Sequence, residues 1–351
     1  KESQAPGGVR TERLPVLASA SKQQLLERGA VVGQDTSDLK EYVEWKINCR
    51  PYGGQYMLMK QDLMIVNLMR SVAAGGWKRP VYFAISIPDQ NFVGLNDQFF
   101  RLEGMAFRVV PAEEQGSRAL ERVNTEKMYE NVMNKFQYRN LDNPDVWYDH
   151  VIRRMVGNFR SNYVRLASAL AEDARSLKGQ ADKAENETLA DSLRQQAEAK
   201  RQQARKVLQR SEEEITDDAV RTGSFYLSQI TGVYLELGDT AKAKTNLRNS
   251  VTRAKVDAAY DVKHNTLALR DRNVFSMRNA FYLASRELQD PELSTLAGEA
   301  WLRTFHKLED DMPLQQAVDQ VSRQYKEVLR NWQRYESQLR NMEIGTTMAV
   351  N

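Results

Sequence analysis

The spacing of apolar and polar residues changes near residue 124. Before it, apolar positions come in short runs. "LKEYVEWKINC" (39–49) alternates loosely and predicts a strand. "RPYGG" (50–54) predicts a turn. Residues 55–73 carry Met57, Leu58, Met59, Leu63, Met64, Ile65, Val66, Leu68 and Met69, apolar nearly all round, and predict a helix buried on most sides. Gly75-Gly76 gives that helix a left-handed stop. Pro80 cannot donate to a sheet ladder, so it belongs at the start of a strand, "VYFAISI" (81–87). "QFFRLEGMAFRVVP" (98–111) reads as two short strands around Glu103-Gly104. Residues 1–38 are weakly patterned and read as a mostly extended lead-in; 39–123 then form a small α+β module.

From 124 to 345 the period is helical. Asn124-Thr125 can cap a first helix, and Asn143-Pro144-Asp145 starts a long one. Residues 180–215 are dense in Ala, Gln, Lys, Arg and Glu and predict a charged helical arm, either a hairpin or coiled-coil-like. Further helices are expected at 217–237, 240–256, 273–288, 291–307 and 313–342, with a loose end, "GTTMAVN". The fold class is therefore predominantly α with an N-terminal α+β module.

One helical pair has the spacing of a tetratricopeptide unit: "SFYLSQITGVYLELGDTAKAKTNLRNSV" (224–251). Leu227, Ile230 and Tyr234 line its first helix, Gly238-Asp239 turn, and Ala243, Leu247 and Ser250 let the second helix close. Thr231 stands where a smaller residue is usual, and Lys255 where a proline is usual. Degraded copies are expected at 162–210, turning at "GQADKA", and at 275–306, turning at Gln289-Asp290-Pro291. The result is an α-solenoid of helical hairpins or a plain helix bundle.

Composition narrows the function. Fifty Lys and Arg against 47 Asp and Glu leave +3, which gives no electrostatic case for nucleic acid. The single cysteine, Cys49, excludes an internal disulfide framework and a Cys-based zinc cluster. The start, "KESQAPGGVRTERLP", carries no apolar signal run, lacks an initiator Met and reads as the middle of a longer protein. "QYMLMKQDLMIVNLMRSVAAGG" is the most apolar window, but Lys60, Asp62, Asn67 and Arg70 make it a core helix rather than a membrane span.

Three ordered blocks carry a family resemblance: "GGQYMLMKQDLMIVNLMRSVAAGGWKRPVYFAIS", "VGLNDQFFRLEGMAFRVVP" and "VNTEKMYENVMNKFQYRNLDNPDVWYDHVIRRMVGNFRSNYVRLASAL". Over about 39–175, and more weakly through 224–256, the chain resembles the C-terminal soluble region of a Bacteroidetes family of multi-pass membrane proteins of protein O-mannosyltransferase-like type. The resemblance implies a membrane-embedded glycosyltransferase portion ahead of residue 1. It also implies a place on the periplasmic side of the bacterial inner membrane, and tetratricopeptide-like repeats. The lipid-linked sugar chemistry would lie in the membrane part, so the resemblance transfers no catalytic residue to this chain. The charged insertion at 185–205 departs from the family pattern.

The residues themselves offer little catalytic chemistry. His150, His264 and His306 lie far apart and lack ligand spacing. No P-loop, G-x-G-x-x-G or G-x-S-x-G motif occurs. Cys49 reads as a buried small hydrophobe rather than a nucleophile. The acidic runs Glu212-Glu213-Glu214, Asp217-Asp218 and Glu309-Asp310-Asp311 read as solvated faces at helix ends, with Asp217-Asp218 suited to an N-terminus. The Met-rich helix 55–73 could form an adaptable groove, or simply core. Trp77, Lys78 and Arg79 admit two readings. They hold an anionic head group or phosphate, or Trp77 plugs the core edge while the cations are solvated or pair with an acid such as Glu103. On the repeat, Ser228, Gln229 and Thr231 are the polar positions expected to face a groove. No cofactor and no metal is expected.

The leading expectation is a non-catalytic periplasmic domain of a membrane glycosyltransferase. It would bind acceptor protein, a peptide or an envelope partner through its repeats, and join an upstream transmembrane region of the same chain. The alternative is a free-standing tetratricopeptide scaffold of an envelope or export assembly. An independent hydrolase or transferase is disfavoured by the missing motifs.

Overall fold

The computed structural model describes residues 9–31, 39–97, 99–111, 122–264 and 267–306. These residues are mostly helical, with a small β region near the N-terminus. They divide into two compact units. One runs to Arg139 and resumes over Asp149–Ser211; the other joins Asn140–Tyr148 to the chain from Glu212 onward. This division differs from the break at 123/124 read from the periodicity.

The first unit opens with β1 (Val9–Pro15) and α1 (Lys22–Glu27), where the pattern predicted only a lead-in. The strand escaped notice because only Leu14 of its seven residues is fully buried. It pairs antiparallel with β2 (Tyr42–Asn48), from Val9↔Asn48 to Pro15↔Tyr42. β2 alternates strictly, and its inward side chains, Val43, Trp45 and Ile47, are buried. Next come β3 (Arg50–Tyr52) and β4 (Gln55–Met57), joined by Gly53-Gly54, both at positive φ. Such a two-residue turn matches the twist of its strands. It consumes residues assigned to a helix at 55–73, so α2 spans only Lys60–Ala74. The Asp62 carboxylate caps it, accepting from the Met59 amide at 2.9 Å.

The α2 face that packs inward holds Val66, Met69 and Ala73, spaced by three and four. Met64 and Leu68 are exposed, so the expectation of a helix buried on most sides is wrong. β5 (Tyr82–Ala84), β6 (Phe100–Leu102) and β7 (Ala106–Val109) form a three-stranded antiparallel sheet in the order β5-β7-β6. β5 is shorter than the predicted 81–87 because it turns after Ala84. Phe83, Phe100 and Phe107 share one face of that sheet and meet Phe92 in a cluster; Phe100 and Phe107 stack at 5.2 Å. Each such ring pair adds about 1 kcal/mol beyond its burial.

Gly94 has φ +81°, and a Cβ there would collide with the Lys46 carbonyl oxygen of β2. The Trp45 indole donates to the Val93 carbonyl at 2.9 Å, fixing the loop over β2.

Asn124 caps α3 (Thr125–Glu130) as expected, accepting from the Lys127 amide, and the helix widens into a π turn at Asn131–Lys135. The long helix α4 (His150–Ala181) starts at Asp149, whose carboxylate accepts from the Ile152 amide at 2.8 Å. It does not start at Asn143-Pro144-Asp145. There the Asn143 side chain accepts from the Asp145 amide and closes a turn. α5 (Glu187–Glu214) follows, so the charged arm is a helical hairpin. Ala190, Ala197, Ala204 and Ser211, spaced by seven, are buried together with Val207 and Leu208, and Lys200 pairs with Asp173 of α4.

The second unit contains α6 (Ser224–Glu236), α7 (Thr240–His264), α8 (Leu267–Tyr282) and α9 (Pro291–His306). α6 starts later than the predicted 217. Asp217 accepts from the Thr222 amide at 2.8 Å and pairs with Arg253, and so closes a loop instead of opening a helix. α6 and α7 turn at Gly238 (φ +78°), as expected. α8 passes into a π turn at Leu283–Glu287, and Asp290 caps α9 with Pro291 in its first turn. Leu247, Val251, Met277, Phe281, Leu293 and Trp301 belong to the shared core of α7, α8 and α9. The expected helix 313–342, Glu309-Asp310-Asp311 and the terminal "GTTMAVN" lie outside the described residues.

Candidate functional site

The Trp77-Lys78-Arg79 turn splits into two parts. At the end of α2, the Gly75, Gly76 and Trp77 amides donate to Ser71, Ala73 and Val72 carbonyls. Gly76 (φ +70°) passes so close to the α1 approach that a Cβ would lie 2.8 Å from the Ser19 carbonyl oxygen. Trp77 follows at φ +58°, an uncommon conformation for a bulky residue. Its ring is buried, and its indole N–H donates to the Pro15 carbonyl at 2.9 Å, so β1 holds it in place. Arg28 donates to the Gly76 carbonyl and closes the same corner. Trp77 is thus unavailable to a ligand. Lys78 and Arg79 are exposed and make no ion pair with another described residue. Of the two states expected for these cations, solvated or paired with an acid such as Glu103, the solvated one is found.

Glu103 instead anchors a cluster that the sequence did not reveal. One carboxylate oxygen accepts from the Tyr82 hydroxyl at 3.1 Å, the other from the Asn124 side chain at 3.0 Å. Arg108 lies 3.9 Å away. The cross-strand register sets Tyr82, Arg108 and Arg101 in one row on the sheet face opposite the phenylalanines. Burial, then the Glu103 charge, pushes the Tyr82 hydroxyl up, so it remains a proton donor. A buried carboxylate with donors on both oxygens fastens β5, the β6–β7 turn and the α3 cap together. It offers no activated nucleophile.

The groove positions on α6 fare unequally. Ser228 is buried and accepts from the Asn279 side chain at 2.6 Å. Thr231 is fully buried and returns its hydroxyl to the Leu227 carbonyl at 2.8 Å. Gln229 is exposed, as expected. The correction has a plain cause: α6 packs on both α7 and α8. Ser224, Ser228 and Thr231 are spaced by four and three, one helix face, and that face is covered. Ser224 donates to Asn273 of α8, and Ser250 of α7 donates to the Ser224 carbonyl. Hydroxyls at that spacing were the available signal. Tyr234 packs inward, and its hydroxyl donates to Glu212 at 2.7 Å; burial and that carboxylate push it far above the ordinary tyrosine range.

Cys49 is buried and free, and burial pushes its thiol up, away from nucleophilic chemistry. Among the described residues, no group of three His, Cys, Asp or Glu side chains has metal-binding geometry. No helix among them is long and apolar enough to cross a membrane.

Residues 13–127 match the family model described as TMEM260-associated domain 2. The matched stretch starts within β1, takes in the sheet and the Glu103 cluster, and ends in the first turn of α3. It therefore begins earlier than the resemblance at 39–175 and omits the helical region. It links this part of the chain to a membrane protein family. No curated protein and no solved structure matches the chain.

Proposed function

We propose that this chain is a non-catalytic accessory domain of a membrane-embedded glycosyltransferase of protein O-mannosyltransferase-like type, exposed on the periplasmic side. Its task is to hold an acceptor protein or an envelope partner near the membrane-embedded chemistry. The observation that carries this reading is the match of residues 13–127 to a TMEM260-associated domain. The state of the titratable groups supports it. Glu103 is saturated with donors, and Tyr82 and Cys49 are held protonated. The pairs α6–α7 and α8–α9 act as tetratricopeptide-like hairpins in a short solenoid. Gln229 faces the partner there, while Ser228 and Thr231 belong to the packing. Lys78 and Arg79 supply surface cations for an anionic group.

The purified chain, incubated with lipid-linked mannose and unfolded acceptor protein, should transfer no sugar, and the parent protein should lose acceptor transfer when this region is deleted. Transfer by the chain alone would overturn the reading.

The second reading, a tetratricopeptide scaffold without any enzyme, draws on the hairpin pairs alone. The gene ahead of residue 1 separates the two: a run of transmembrane helices fits the first, a lone signal peptide the second.

A further inference from the structure

We propose that residues 50–79 form a lipid-docking face, which seats the first unit on an anionic bilayer surface. The inference takes from the preceding reading only its membrane setting.

The exposed side chains of this segment are apolar, cationic or neutral polar, the last being Gln55, Gln61, Asn67 and Ser71, and none is acidic. Tyr52 and Tyr56 are exposed on opposite faces of the β3–β4 hairpin, one on each side of a Gly53-Gly54 tip that has no side chain to keep a surface away, so the tip would enter the headgroups edge-on. Met64 and Leu68 are exposed on α2, and Lys60 precedes them on the same stripe at i, i+4 spacing. Lys78 and Arg79 follow the helix, both exposed. From Arg50 to Pro88 the chain contains one acid, Asp62, which is buried and bonded to Arg50 at 2.8 Å and to the Met59 amide. The segment therefore presents apolar, neutral polar and positively charged groups to solvent, and no carboxylate.

That combination complements a lipid headgroup region. Tyrosine has an apolar ring and a polar tip, and such side chains settle at the boundary between headgroups and acyl chains. Exposed lysine and arginine beside them are drawn to anionic lipids. With no spanning helix among the described residues, the contact would be peripheral, made by side chains of a hairpin and one helix face.

The test is vesicle flotation of the purified chain. It should float with mixed phosphatidylcholine–phosphatidylglycerol vesicles, float less with phosphatidylcholine alone, and be released by salt. Replacing Lys60, Lys78 and Arg79 by Gln should lower partitioning by about fivefold per cation. The variant Tyr52→Ser, Tyr56→Ser, Met64→Gln, Leu68→Gln should abolish flotation. Both variants should keep the parent circular dichroism and urea midpoint, since every altered side chain is exposed. Absence of flotation, or flotation unchanged in both variants, would overturn the proposal. So would a dimer in sedimentation that the apolar variant abolishes while the chain ignores vesicles. None of these results bears on the transfer assay, which tests the accessory role separately.

Discussion

Along α2, Met64 and Leu68 stand 66% and 49% exposed, while along α6 Ser224, Ser228 and Thr231 are shut in. By composition the reverse was expected. Both helices obey the spacing rule, yet the rule identifies faces and not which face is covered. α2 is covered where Val66, Met69 and Ala73 point, toward a unit whose β1 lies against it. α6 is covered on two sides, by α7 and α8. A second neighbour makes the hydroxyl stripe of α6 interior, and each hydroxyl then needs a partner, since an unpaired one costs about 1–3 kcal/mol. Asn279, the Leu227 carbonyl, Asn273 and Ser276 supply them. The α2 stripe has no such cover among the described residues and is free to meet something outside the unit.

The comparison breaks most visibly at Thr231. Thr231→Lys would force a charge into a site with no exposure and should cost about 3–5 kcal/mol, read as a collapse of the urea midpoint of the second unit. Tyr234→Ala removes a fully buried ring and should cost a similar 3–5 kcal/mol in the same assay. If either change proves mild, the covered face of α6 is wrongly assigned.

Glu12 sharpens the account of the first unit. Burial alone would raise its carboxyl, but hydrogen bonds and charge from Arg70, with Arg10 beside it, outweigh burial and hold it below the usual carboxylate range. The folded value is thus depressed relative to the unfolded one. Its contribution is complete above the unfolded value near pH 4.5 and fades as pH falls through the folded value. Glu12→Gln should cost about 1–2 kcal/mol at neutral pH and flatten the acid limb of the stability profile of this unit. An unchanged acid limb would show that the β1–α2 tie contributes nothing.

At the small end, Gln229→Lys in α6 and Met64→Lys in α2 should each shift stability by no more than about 0.5 kcal/mol, measured by urea denaturation. Gln229→Lys should nevertheless weaken partner capture. A large loss at Met64 would mean that its face is packed.

Several elements were legible before the structure. The alternation of β2, the strands flanking Glu103-Gly104, the Asn124 cap, the Gly238 turn and the Pro291 start all follow from local chemistry that nothing distant overrides. The misreadings share a cause in distance. The β3–β4 hairpin competed with a helix over residues that satisfy both patterns, and the Gly53-Gly54 turn decided it. Asp217 closes on Thr222 and Arg253 instead of capping a helix, because its partner lies 36 residues on. Of the two readings of Trp77 the core-edge plug holds, though the carbonyl that fixes it belongs to Pro15, 62 residues earlier, and no local window shows it. The Glu103 cluster joins β5, the β6–β7 turn and α3, so no single window could display it. Spacing alone marked the hydroxyl face of α6, and only the second neighbour, α8, puts that face inside.

The exposed stripe of α2 carries both the contrast with α6 and the docking face, and methionine oxidation reads it directly. Met64 and Met69 sit five residues apart on one helix, the first largely exposed and the second with no exposure. Under dilute peroxide, with peptide mapping over time, Met64 should form the sulfoxide at nearly the rate of the urea-unfolded chain. Met69 should stay unmodified until the unit unfolds. Equal rates at the two sites in the folded chain, or a protected Met64, would contradict the account.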